Sequence, residues 1–131
     1  MRGVDTNVLV RYLTQDDVAQ ARRVDALVAE ATAAGERLHL DDIVLCELVW
    51  VLRAAYRLDK ETVAGALDRI FGTALFAFED RALLRLALDD YRRGRGDFAD
   101  CLIGRRNLKA GCADTATFDR NLDELSAFSL L

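Results

Sequence analysis

Four carboxylates sit in apolar stretches of the sequence. Asp5 follows the short run Met1 to Val4, and Glu47 is the lone charge between Ile43 and Leu52. Asp100 lies between Ala99 and Cys101-Leu102-Ile103, and Asp119 follows Phe118. An ionised carboxylate out of water is costly unless something pairs with it. Several that converge without a basic partner repel one another, and a hard cation taking oxygen ligands is the usual resolution. Magnesium fits such a set best, with manganese as a substitute. Calcium would call for a dedicated loop of closely spaced ligands, and zinc for His and Cys. Divalent ions held by scattered carboxylates with open water positions are suited to phosphodiester hydrolysis. The single histidine, His39, lies between Leu38 and Leu40 and reads as a strand residue, which leaves no route through paired imidazoles.

Punctuation and periodicity define the elements that must position these acids. A very short strand at Arg2 to Val4 runs into Asp5-Thr6-Asn7, after which helical spacing takes over. Val24, Leu27, Val28 and Ala31 fall at i, i+3, i+4 and i+7, with Thr14 and Asp16 as N-caps and Gly35 as the stop. Leu38 to Leu40 is a second strand. Ile43 to Leu52 is apolar at nine of ten positions and continues past Tyr56, a length that favours a buried helix. Another helix spans Asp59 to about Phe71, and a third strand spans Leu75 to Phe78. Asp80 caps a helix ending before Gly94, and Asp97 caps the last long one, which runs to about Lys109. Cys112 to Thr117 gives a fourth strand and Ala127 to Leu131 a short fifth. The order β-α-α-β-α-α-β-α-α-β-α-β predicts a three-layer α/β/α fold with a short, mainly parallel sheet of four or five strands. Ligands of such sheets bind beyond the carboxyl ends of the strands, where Asp5 and Asp119 lie and where helices begin.

Composition narrows the function classes. The chain has 131 residues, 52% apolar and 31% charged, which is enough for one core, and it reads as a single domain over 1–131. Its 18 Lys and Arg against 22 Asp and Glu leave a formal charge of −4, so general electrostatic capture of nucleic acid is not the design and any such role needs a local site. No stretch reaches membrane-span length, and the start lacks a leader pattern, so a soluble, unprocessed, cytoplasmic protein is expected. Cys46, Cys101 and Cys112 form no C-x-x-C pair and read as reduced core thiols.

Asp5-Thr6-Asn7-Val8-Leu9, Val44-Leu45-Cys46-Glu47-Leu48, Asp97-Phe98-Ala99-Asp100-Cys101-Leu102-Ile103 and Thr117-Phe118-Asp119-Arg120 resemble the four acidic motifs of PIN-domain ribonucleases, and most closely those of VapC toxins from bacterial toxin-antitoxin pairs. The resemblance runs in order from Met1 to about Leu122. It implies a PIN-like fold and a Mg²⁺-dependent endoribonuclease in which Asp5, Glu47, Asp100 and Asp119 serve as metal-site and catalytic acids. Asp97, one helical turn before Asp100, is an additional ligand candidate. Asn7 and Thr117 correspond to the amide and hydroxyl residues that accompany the first and last acids. Asp114 is an extra acid near the fourth motif and competes with Asp119 for the metal; Asp119 is preferred, with Phe118 as its anchor. The resemblance further implies an RNA substrate, a cognate antitoxin and a homodimer.

Each residue also has a plainer role. Asp97 suits an N-cap, Asp5 and Asp100 suit turn and first-turn positions, and Asp119 suits an Asx turn. The basic run Arg92, Arg93, Arg95, Arg105, Arg106 and Lys109 is by default a solvated face; in the nuclease reading Arg95, Arg105 and Arg120 hold flanking phosphates. Trp50, Leu52 and Tyr56, or Leu13 and Val18, would line a groove for a partner's amphipathic helix. Two other enzyme classes fit poorly. An aspartate-nucleophile phosphatase would need an acid where Asn7 stands, and a receiver domain would need adjacent acids and a lysine that are not in place. The alternative outside catalysis is a PIN-like module that binds RNA or protein without cutting.

Overall fold

The computed structural model describes residues 1–131. The elements run β1 (Arg2–Gly3), α1 (Thr6–Thr14), α2 (Val18–Ala34), β2 (Leu38–His39), α3 (Asp42–Ala54), α4 (Lys60–Gly72), β3 (Phe76–Ala77), α5 (Arg81–Arg93), α6 (Phe98–Lys109), β4 (Thr115–Thr117), a 3-10 turn at Arg120–Leu122, and β5 (Phe128–Leu130). This is the expected alternation, with a 3-10 turn in place of the last helix. Two compact units share it: Met1–Arg57 with Gly72–Glu79, and Leu58–Phe71 with Asp80–Leu131.

In the first unit β1, β2 and β3 form a parallel sheet in that order, with Arg2 opposite Leu38 and Leu38 opposite Phe76. The strands are shorter than expected, but the backbone pairing extends beyond them. Val4 N donates to His39 O, and Leu40 N donates to Ala77 O. Leu9, Leu38, Leu40, Leu45, Leu48 and Leu52 are buried among these elements, and Tyr12 meets Phe76 edge-on with ring centroids 5.4 Å apart. Thr14 and Asp16 do not cap α2. Thr14 is still helical and its hydroxyl donates to Val10 O, while Asp16 accepts from Arg11 and Tyr56. Gln15 turns the chain in the left-handed region, and Asp17 takes the cap through Gln20 N. Gly35 ends α2 at φ 66, as expected. Helix α3 is not buried all round: Leu45, Leu48, Val49 and Leu52 face the core, whereas Ile43 and Trp50 are 66% and 69% exposed.

In the second unit α5 packs on α6, and β4 and β5 form a parallel pair with Thr115 opposite Phe128. The strands are thus divided between a three-stranded and a two-stranded parallel sheet, where the sequence suggested one sheet of four or five. Asp80 caps α5 through Leu83 N, as expected. Phe71, Leu67, Leu84, Leu88 and Phe98 are buried. Gly104 lets β5 approach α6: a Cβ there would lie 2.7 Å from a Phe128 ring carbon. The turn from α5 to α6 is held by Lys60, whose ammonium donates to Gly94 O and lies 4.9 Å from the Tyr91 ring centroid. Of the three thiols Cys101 is buried and Cys46 half-buried, but Cys112 is exposed in the loop after α6, where the sequence suggested a core residue.

Candidate functional site

Asp5 leaves β1 with extended backbone and becomes the N-cap of α1, its Oδ1 accepting from Val8 N at 3.1 Å. The next residue, Thr6, donates its hydroxyl to Glu47 Oε1 at 3.0 Å, which ties α3 to the start of α1 and holds the Glu47 carboxylate beside the first motif. The apolar run around Glu47 suggested a buried acid, but both Asp5 and Glu47 are exposed. Helical spacing explains the difference. Ile43, Glu47 and Trp50 fall at i, i+4 and i+7 on the outward face of α3, so the polar position lies between two exposed apolar ones.

A second set of acids gathers around the start of α6. Asp97 occupies the N-cap position, yet its side chain makes no capping hydrogen bond, contrary to the plain reading of it as a cap. Asp100 follows one turn later and is half-buried. Asp119 caps the 3-10 turn, its Oδ1 accepting from Asn121 N at 2.9 Å while its own N–H donates to Thr117 Oγ1 at 3.0 Å. Thr117 therefore positions Asp119, the part the sequence assigned to Phe118, which is instead 82% exposed. Asp114 is exposed in the segment leading into β4.

Burial, then the charges of Asp97 and Asp119, push the Asp100 carboxyl above the ordinary carboxylate range. A helix N-terminus favours a negative charge, but here lost hydration and then repulsion oppose it. Burial and the neighbouring acids Asp90 and Asp100 also push the adjacent Cys101 thiol up to about 12, so it stays protonated and unreactive.

Of the three arginines expected at phosphates, Arg105 forks the buried Asp90, with Nε at 2.7 Å and a terminal nitrogen at 2.9 Å from its two oxygens. That bidentate pair fastens α6 to α5. Arg95 is exposed, 3.3 Å from Glu124, and Arg120 is exposed beside Asp119.

The donor chemistry fits a hard divalent cation. Every donor is a carboxylate oxygen, and a cation would relieve the repulsion from Asp97 and Asp119 that adds to burial in raising Asp100. No three His, Cys, Asp or Glu side chains are grouped to hold a metal ion. Magnesium does not require that, because it keeps several waters and is commonly bound by one or two carboxylates together with substrate phosphates.

Residues 4–127 match the PIN domain family. The chain is also 27% identical over 125 residues, 95% of its length and 92% of the other protein's, to a VapC ribonuclease of Aquifex aeolicus strain VF5. The family match spans all four acidic motifs and the elements from α1 to β4, so the chain belongs to the PIN domain family.

Proposed function

We propose that this chain, as one PIN-like domain, is a Mg²⁺-dependent endoribonuclease, the toxin of a toxin-antitoxin pair. Asp5, Glu47, Asp100 and Asp119 serve as its metal-site acids, with Asp97 as an additional ligand. The observation that carries the reading is the placement of Asp100 between two other acids: the charges of Asp97 and Asp119 both act on it, and Asp97 lacks the capping bond its position offers. The similarity to a VapC ribonuclease supports RNA as the substrate.

A bound divalent cation would neutralise charge on the scissile phosphate and acidify the attacking water. Thr6 keeps Glu47 oriented, Thr117 keeps Asp119 oriented, and the Asp90–Arg105 fork fixes the helix that presents Asp97 and Asp100. Of the three arginines named from the sequence, Arg120 and Arg95, both exposed, remain to hold flanking phosphates. Mn²⁺ substitutes for Mg²⁺, and cleavage leaves a 5′-phosphate and a 3′-hydroxyl.

The same reading includes a cytoplasmic location, a homodimer and a basic-tailed antitoxin whose guanidinium competes for the acids. No helix is long and apolar enough to cross a membrane. Exposed Trp50, Ile43 and Val18 supply apolar surface for association, while Leu52 is core and drops out of the groove suggested by sequence.

The test is cleavage of RNA by Asp5→Asn and Asp100→Asn. The amide is isosteric with the acid but carries no charge, so each variant stays folded and loses Mg²⁺-dependent cleavage. Full activity in both would remove the metal-site assignment.

A further inference from the structure

Between α1 and α2 runs an open cleft of about 260 Å³, lined by Asp5, Asn7, Val8, Arg11, Gln20, Arg23 and Val24. It begins at the first acidic motif and leads away from it along the two helices. Its two arginines differ. Arg11 is spent within the chain, donating through Nε to Gln20 Oε1 at 2.7 Å and through a terminal nitrogen to Asp16 Oδ1 at 2.9 Å and to the Tyr56 hydroxyl at 3.2 Å. Arg23 is exposed and enters no ion pair or hydrogen bond, and the Asn7 amide is likewise uncommitted. The bond from Arg11 fixes the Gln20 amide so that its oxygen is used and its two N–H donors remain. Val8 and Val24 supply apolar surface.

We infer that this cleft is a substrate subsite, taking one nucleotide of the RNA strand next to the cut, with Arg23 binding its phosphate. The inference rests on the ribonuclease reading above. Three features point to a nucleotide. A cation free of carboxylate partners suits a phosphodiester, which every nucleotide of a strand presents. The apolar surface of Val8 and Val24 suits the face of an unpaired base or ribose, and the free amides of Asn7 and Gln20 suit the base's edge. The volume is below the roughly 300–1,000 Å³ of pockets that engulf a free small ligand, so it suits one unit of a longer strand. The cleft also shares Asp5 with the candidate metal site, which places the bound unit next to the scissile one.

The test measures binding of a 10-nucleotide single-stranded RNA by fluorescence anisotropy over a salt series. The full chain is used, with Ca²⁺ replacing Mg²⁺ so that the strand stays intact. Arg23→Ala is expected to weaken binding several-fold and to lower the slope of log affinity against log salt by about 0.7, the share of one single-strand phosphate. Arg23→Lys should restore the slope, and Arg22→Ala, one residue away and outside the cleft, should leave both quantities unchanged. In wild type, replacing one phosphate at a time by neutral methylphosphonate should weaken binding most at one position, and Arg23→Ala should abolish that sensitivity. Wild-type binding with an unchanged affinity and slope in Arg23→Ala would overturn the subsite while leaving the ribonuclease reading standing. A wild type that binds no RNA at all would overturn both.

Discussion

At the scale of single residues, the acids divide by what holds them. Asp5, Asp119 and Glu47 are oriented by hydrogen bonds, from Val8 N, Asn121 N and the Thr6 hydroxyl, whereas Asp97 has no cap bond and the charged form of Asp100 is disfavoured by burial and by its neighbours' charge. The identities of these residues were legible in the sequence because a carboxylate in apolar surroundings is conspicuous. Their supports were not. A Thr hydroxyl reaching 41 positions along the chain to Glu47 leaves no local signature, and neither does the failure of an Asp in a good N-cap position to cap. Asp100 has a folded-state value above that of an unfolded chain, so its protonated form favours the fold. Its stabilising effect is complete below the unfolded value of 3.8 and is lost as pH rises through the folded value. Asp100→Asn should therefore keep or raise the melting temperature of the metal-free protein at pH 7, with the gain shrinking towards pH 3, as thermal melts across that range would show. A large fall at pH 7 would make Asp100 a structural acid. The thiols allow a second check. Exposed Cys112 should react with a thiol reagent in the native protein, while Cys101, raised to about 12 and buried, should react only after unfolding.

At the scale of elements, the helices and the parallel order of short strands could be read from periodicity, Gly stops and Asp caps. The extents of the strands could not, since two or three paired residues carry no period. Sequence also missed the two-sided character of α3, because a helix with one polar residue in ten looks uniformly apolar until tertiary packing chooses which of its faces is covered. The basic run on α5 and α6 read as a solvated face with phosphate-binding arginines, yet Arg105 is a structural clamp. Its partner Asp90 is only 4% exposed, so Arg105→Ala strands a buried charge and should cost about 3–5 kcal/mol in urea unfolding. Arg105→Lys should recover only part of this, since an ammonium cannot reproduce the bidentate fork. Gly104→Ala, which must push aside the Phe128 ring, should cost about 1–3 kcal/mol by overpacking the contact of α6 with β5.

At the scale of the whole molecule, a chain of formal charge −4 is proposed to act on a polyanion. That requires the acids to be neutralised where the substrate comes close, and uncommitted arginines near them, Arg23 and Arg120 among them, to supply the local attraction. The net charge argued only against general electrostatic capture, while the scattered carboxylates and the motif order argued for a local site acting on phosphodiesters. The account accordingly turns on the metal. The most direct measurement is RNA cleavage by the wild-type chain after full chelation and then during titration with Mg²⁺ or Mn²⁺. The account predicts no cleavage with chelator and recovery with either ion, giving 5′-phosphate and 3′-hydroxyl ends. Cleavage that persists undiminished in excess chelator would contradict it.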